Sequence, residues 1–164
     1  MRSTTLFLCL FCSISIFAQK QIVYIVRHAE KDLKDINQKD PNLSIEGQQR
    51  ALNLSQILQK DKIDIAYTTP YKRTHQTLEP LVKAKDITLI EYPPQKQKDL
   101  VLSILNSKKN AIIAGHSNTI LELAKAFGGI PKIKEINEDD YSNLIKLTIN
   151  GKKVRTKIKK YNNR

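Results

Sequence analysis

The stretch IVYIVRHAE at residues 22–30 decides the fold class of this 164-residue chain. Residues 22–26 are an uninterrupted apolar run rich in β-branched side chains, which predicts a strand buried on both faces, as in a parallel sheet. Arg27 and His28 follow at once. Because ligands of open α/β sheets bind beyond the carboxyl ends of the strands, we expect this junction to carry chemistry.

Strand-like and helix-like segments alternate over the next hundred residues. Further strands are predicted at 63–68, 87–90 and 111–114. Between and after them lie four predicted helices, each marked by apolar residues at helical spacing. The first begins at Ser44, a predicted N-cap, and has Ala51, Leu54 and Leu58 on its apolar face. The second spans 73–84, although Pro80 disfavours a helix there. The third carries Leu100, Ile104 and Leu105, and the fourth spans 118–127.

The chain ends in two strand-like segments, 144–149 and 152–158, which flank Asn150-Gly151 and predict a hairpin with a tight turn. Strands that alternate with helices indicate βαβ units. The sequence therefore predicts an α/β fold: a three-layer α/β/α sandwich with a mostly parallel central sheet and a C-terminal antiparallel hairpin at the edge.

The N-terminus has the pattern of an export signal. Arg2 precedes residues 6–18, which are free of charge and end in the small Ala18. This run is shorter than the about 20 residues that span a bilayer as a helix. We therefore expect a signal peptide at 1–18, a domain at 19–164, and an exported protein that is periplasmic or extracellular. A buried first helix or an uncleaved anchor is the alternative.

The composition excludes some classes of protein. The only two cysteines, Cys9 and Cys12, have no histidine near them, which excludes a zinc finger. The formal net charge of +12 favours anionic substrates or surfaces, although it also serves solubility. The charge is scattered and aromatics are not clustered, so we do not expect a nucleic-acid partner. The oligomeric state is left open.

Two charged segments lie near the C-terminus. Residues 152–160 alternate basic and other residues, which favours an edge strand whose lysines block sheet-to-sheet association. Contact with an anionic membrane surface is the alternative. The acidic residues 135–140 are most simply interpreted as a solvated loop.

Three predicted strand ends carry side chains suited to a phosphoryl group. Arg27 and His28 follow the first strand, Arg73 follows the second, and His116 follows the fourth. Guanidinium groups bind phosphate oxygens in pairs and stay charged. A neutral histidine can attack phosphorus and form a covalent intermediate. Parallel strands bring these loops to one edge of the sheet, so the four side chains are expected to converge.

The fourth predicted helix would add further donors. Ser117 and Asn118 stand where that helix begins, and the free N–H groups at a helix N-terminus favour a bound anion. We expect them to support phosphate binding.

Four segments in order resemble the histidine phosphatase superfamily, also called phosphoglycerate mutase-like. They are residues 26–30 (VRHAE), 43–47 (LSIEG), 68–77 (TTPYKRTHQT) and 115–119 (GHSNT). By this resemblance His28 would be the phosphorylated nucleophile, with Arg27 and Arg73 gripping the phosphate and His116 donating to the transferring group. Members of this type use neither a metal nor another cofactor. The partner implied is a small phosphorylated substrate.

The general acid for the leaving group is not fixed by these motifs. Glu91, which follows the third predicted strand, and Glu30, two residues after His28, are the candidates. A solvated loop carboxylate is the alternative for Glu91, and an ion pair is the alternative for Glu30. His75, in the same motif as Arg73, is interpreted as a helix-surface residue.

The sequence thus predicts an exported, metal-independent phosphatase that hydrolyses a small phosphomonoester through a phosphohistidine on His28. Two alternatives remain. One is a phosphate-binding module without catalysis, and the other is an enzyme like the phosphohistidine phosphatases, which have no dedicated general acid.

Overall fold

The computed structural model describes residues 20–34 and 37–161, so the predicted signal peptide at 1–18 lies outside the described residues. The strands are β1 (Gln21–Arg27), β2 (Ile65–Thr68), β3 (Thr88–Glu91), β4 (Ala111–Gly115), β5 (Asn143–Asn150) and β6 (Lys153–Lys160). The helices are α1 (Ile45–Ile57), α2 (Lys72–Lys85), α3 (Gln97–Ser107) and α4 (Ile120–Ala126). Within the described ranges, no helix combines the length and the apolar character needed to cross a membrane.

The six strands form one sheet in the order β3-β2-β4-β1-β5-β6. The first four are parallel, and β1 lies beside β4 with Arg27 opposite Gly115. β5 runs antiparallel to β1, so that Leu144 is opposite Val26. β6 completes the antiparallel hairpin at the edge. This topology confirms the predicted fold class.

Both faces of the sheet are covered. Val23 and Ile25 of β1 pack in a cluster with α3 and α4, whereas Tyr24 and Val26 pack in a second cluster with α1 and α2. Because successive side chains of a strand point to opposite faces, a strand between two helical layers must be apolar throughout. This packing accounts for the continuous apolar run that opens the domain.

The bounds of two helices differ from the prediction. α2 runs from Lys72 to Lys85, one residue beyond the predicted helix at each end. It includes Pro80 as predicted, because Leu78 and Leu81 on either side of the proline are fully buried against the sheet. Tertiary packing here outweighs the local cost of proline. α4 begins at Ile120, two residues later than expected, since a turn from His116 to Thr119 precedes it.

Candidate active site

The loops after β1, β2 and β4 meet at one edge of the sheet. The loop after β1 is tied to the end of β4, because the His28 N–H donates to the Gly115 carbonyl oxygen at 2.9 Å. The His28 and His116 rings lie 5.4 Å apart between centroids. Together with Arg73, they line a cleft of about 430 Å³. The predicted convergence of these strand ends is therefore present.

His28 is oriented by its own loop. Its Nδ1 lies 2.7 Å from the Ala29 carbonyl oxygen. A carbonyl can only accept, so Nδ1 carries the proton and Nε2 is left with a lone pair. Burial lowers the His28 pKa to about 3, and the nearby charges of Arg73 and Arg27 act in the same direction. His28 is therefore neutral near pH 7, as a nucleophile must be.

His116 is oriented by a chain of two threonines. The Thr74 hydroxyl donates to the carbonyl oxygens of Thr69 and Tyr71, at 2.9 and 2.8 Å. Its proton is thereby used, so the Thr69 hydroxyl is the donor in their 3.0 Å contact. The proton in the 3.0 Å contact between Thr69 and His116 must then lie on Nε2 of His116. Burial, followed by the charge of Arg73, lowers the His116 pKa to about 4.

Arg73 lies in the wall of the cleft. Its guanidinium carbon is 4.3 Å from the centre of the Tyr71 ring, and Nη1 makes a long 3.4 Å contact with Asp40. Its Nε is buried without a hydrogen-bond partner. A buried donor of this kind is costly unless a ligand accepts from it, which fits a bound anion.

Arg27 is more deeply placed, with 1% of its side chain exposed, and it does not line the cleft. Nη1 donates to the Asn137 carbonyl oxygen and Nη2 to Glu138 Oε2, each at 2.8 Å. The guanidinium carbon is 4.1 Å from the centre of the Tyr141 ring. As in Arg73, the buried Nε has no partner. Arg27 thus faces the loop before β5, and its role in gripping phosphate stays a prediction.

Glu138 lies at the site although the sequence analysis did not single it out. Its carboxylate lines the cleft and accepts from the Ser117 hydroxyl at 2.5 Å as well as from Arg27. The Ser117 hydrogen bond and the charge of Arg27 hold the Glu138 pKa below its usual value. Only the sheet topology reveals this contact, because β5 begins beside the end of β1 and so brings the acidic loop before β5 to Arg27.

The two predicted general acids lie elsewhere. Glu30 makes a bidentate ion pair with Arg50, whose Nη2 is 2.6 Å from Glu30 Oε1. Glu91 contacts His75, with 2.7 Å between His75 Nε2 and Glu91 Oε1, in a neighbouring depression. Neither carboxylate lines the cleft that His28 and His116 form. Ser117 and Asn118 line it from the turn before α4 rather than from the first turn of the helix, and their support of phosphate binding stays a prediction.

The first turn of α1 supports the His28 loop. The Ser44 side chain caps α1 by accepting from the Gly47 N–H, and the Ser44 N–H donates to the Glu30 carbonyl oxygen at 2.9 Å. A Cβ at Gly47 would stand 2.3 Å from that same oxygen. The LSIEG segment therefore needs glycine at its last position, because the helix backbone packs directly on the loop that carries His28.

No group of three or more His, Cys, Asp or Glu side chains in residues 20–34 and 37–161 is arranged to hold a metal ion.

A model of the histidine phosphatase superfamily (branch 1) matches residues 23–101. That stretch contains Arg27, His28 and Arg73 and ends before His116. Residues 23–101, just under half of the chain, therefore belong to the histidine phosphatase superfamily. The fold expected from the resemblance and the family assignment therefore agree.

The relatives of this chain differ in how much they share with it. Phosphoserine phosphatase 1 of Hydrogenobacter thermophilus is 34% identical over 71 residues, which cover 41% of this chain and 34% of the relative. The match thus spans about a third of the curated relative's length.

Solved structures share the fold over most of the chain. A mycobacterial glucosyl-3-phosphoglycerate phosphatase complexed with VO3 superposes with a TM-score of 0.67 at 13% identity, covering 88% of this chain and 100% of that one. A protein described as the phosphohistidine phosphatase SixA, from Agrobacterium tumefaciens, gives 0.66 at 17% identity, covering 86% and 99%. At these identities the likeness shows the fold alone.

Proposed function

We propose that this histidine phosphatase hydrolyses a small phosphomonoester through a phosphohistidine on His28, without a metal. The observation that carries the proposal is the state of His28. Its Nδ1 is tied to the Ala29 carbonyl oxygen, its Nε2 has a lone pair, and its ring faces His116 across the cleft. Family membership and phosphatase relatives support the same reaction.

In the first step, His28 Nε2 attacks phosphorus and the bond between phosphorus and the leaving oxygen breaks. Arg73 holds the phosphoryl oxygens through its unpartnered Nε, and the charge of the buried Arg27 beside the cleft adds to the attraction. When the dianion binds, its charge raises the His116 pKa, so His116 takes up a proton from water on Nδ1 and donates it in a hydrogen bond to a phosphoryl oxygen. The leaving oxygen departs as an oxyanion and takes its proton from water.

In the second step, water attacks the phosphohistidine, the N–P bond breaks, and inorganic phosphate forms. The electron pair returns to Nε2, so His28 ends neutral, as its low pKa requires. Positioning and charge neutralisation supply most of the catalysis in such transfers.

The placement of Glu30 and Glu91 favours substrates with good leaving groups. Both carboxylates are engaged away from the cleft, by Arg50 and His75. Without a dedicated acid, the enzyme would act best on aryl phosphates or on phosphohistidine, because neither leaving group needs full protonation. The expected ratio of kcat/KM for an aryl over an alkyl phosphate is large, and equal values would contradict this preference.

The decisive experiment compares His28→Ala with His75→Ala, a matched control outside the cleft. Turnover of an aryl phosphate, with a chelator present, is expected to be lost in the first variant and kept in the second. A rapid-quench experiment should trap an acid-labile, alkali-stable phosphoenzyme only when His28 is present. Full turnover by His28→Ala would rule out this nucleophile. Phosphate binding without turnover of any phosphoester would instead support a binding module.

We propose as well that the protein is exported, on the pattern of residues 1–18. Cell fractionation and N-terminal sequencing test this, with a mature chain starting at Gln19 as the expected result. An intact Met1 in the cytoplasmic fraction would contradict it.

A further inference from the structure

The hairpin at the edge of the sheet has one covered face and one open face. On the covered face, Val154 and Ile158 pack against the core, and Thr156 Oγ1 accepts from the Ile130 N–H at 2.8 Å. The segment after α4 therefore lies against this side of β6. The residues that alternate with these three point the other way.

The open face of β6 is entirely cationic. Its exposed residues are Lys153, Arg155, Lys157 and Lys159. The side chains of these four make no hydrogen bond or ion pair among the described residues, although their backbones pair with β5. Outward lysines also keep an edge strand from pairing with another sheet, but that role does not require the positive charge to continue beyond β6.

Two further cations extend the same face. Lys146 of β5 is opposite Lys157, and its Nζ makes a 3.5 Å contact with Asp61. Lys20, just before β1, lines one shallow depression together with Lys153 and Arg155. The face is thus a strip of six positive side chains across three neighbouring strands.

The charge of this face is complementary to that of an anionic bilayer. Clustered Lys and Arg side chains at a membrane surface are attracted by anionic headgroups within about a Debye length. A chain that begins at Gln19 keeps all six of these cations.

We propose that the cationic strip, formed by Lys20, Lys146, Lys153, Arg155, Lys157 and Lys159, docks the domain on an anionic phospholipid surface. A sheet face is flat enough for several of these side chains to reach the headgroups together. The strip presents no aromatic ring on which bases stack, so a nucleic acid fits it less well.

The test is co-sedimentation of the full chain, purified as the cell produces it, with vesicles. Binding to phosphatidylcholine vesicles containing phosphatidylglycerol is expected to exceed binding to pure phosphatidylcholine and to fall at high salt. The double variant Arg155→Gln and Lys157→Gln should bind anionic vesicles about 25-fold more weakly, because each cation near such a surface contributes a factor of about five.

The matched control is Lys98→Gln with Lys109→Gln, two exposed lysines at or beside α3, on the opposite side of the sheet. It removes the same charge and should bind anionic vesicles as the wild type does. Thermal melting and phosphatase turnover verify that both double variants are folded. Equal binding to the two vesicle types, or equal loss in both double variants, overturns the proposal. Duplex DNA that binds more tightly than the anionic vesicles also overturns it, in favour of a polyanion in solution.

Discussion

At the scale of single residues, Glu138 occupies two donors at the site for which we expect a phosphoryl group to compete. Its carboxylate accepts hydrogen bonds from Arg27 Nη2 at 2.8 Å and from the Ser117 hydroxyl at 2.5 Å. We predict that Glu138→Gln tightens the binding of inorganic phosphate about fivefold, since a partly exposed ion pair of about 1 kcal/mol no longer has to be broken. Isothermal titration calorimetry measures this without reference to turnover.

Asp139→Asn is the control for the Glu138 variant, because it removes the same charge from an exposed neighbour in the same loop. Its phosphate affinity should change much less. Weaker binding by Glu138→Gln would mean that Glu138 mainly holds Arg27 in place.

Thr69 is the residue that fixes the proton of His116. Thr69→Val would leave the His116 Nε2–H without its acceptor at 3.0 Å and free the ring to turn. We expect kcat/KM for an aryl phosphate to fall about tenfold, near 1.4 kcal/mol for one lost hydrogen bond. Thr68→Val, which removes a buried hydroxyl that does not contact His116, is the control. Similar losses in both variants would refute the specific role of Thr69.

At the scale of elements, the contact between α1 and the His28 loop depends on Gly47. We predict that Gly47→Ala lowers the free energy of unfolding by about 3 kcal/mol, because its Cβ would stand 2.3 Å from the Glu30 carbonyl oxygen. Turnover should fall too, since the loop that carries His28 must move. Chemical denaturation gives the first quantity and a phosphatase assay the second.

Gly151→Ala serves as the control for Gly47. Gly151 has a positive φ of 58° in the hairpin turn, but a Cβ there meets nothing within 4 Å. Its cost should be only about 1 kcal/mol, with turnover unchanged. If Gly47→Ala lowers the free energy of unfolding by no more than Gly151→Ala does, the close packing of α1 on the His28 loop does not require a glycine at position 47.

At the scale of the whole molecule, the buried histidines couple stability to pH. The unfolded chain protonates them below a pKa of 6.5, whereas the folded pKa values of His28 and His116 are about 3 and 4. The unfolded state binds more protons in this window, so stability falls as the pH drops from about 6.5 to 4. We predict a loss on the order of 3 kcal/mol between pH 7 and pH 5.

Urea denaturation at a series of pH values measures this loss. His28→Gln cannot be protonated in either state, so about half of the pH dependence should disappear. Carboxylates with lowered pKa values, such as Asp140, act only below this range, because hydrogen bonds from Lys160 and Ser142 outweigh the opposing effect of burial. A flat stability profile from pH 7 to 5 would show that the histidines are not held neutral by burial.

The order of the elements, the sandwich and the meeting of His28, Arg73 and His116 at the strand ends could all be predicted from the sequence. These follow from local patterns: a β-branched run needs two covered faces, and parallel strands end at the same edge. A local pattern also marked Ser44 as the start of α1, where the structure places its cap.

The carboxylate that belongs to the site could be identified only from the folded chain. Glu30 is held by Arg50, Glu91 by His75, and Glu138 reaches Arg27 across 111 residues of sequence. A side chain of two or three rotatable bonds has several partners within reach, and the choice depends on which backbone segments the register brings within about 3 Å. The antiparallel pairing of β5 with β1 is a long-range contact of this kind, and no local sequence pattern encodes it.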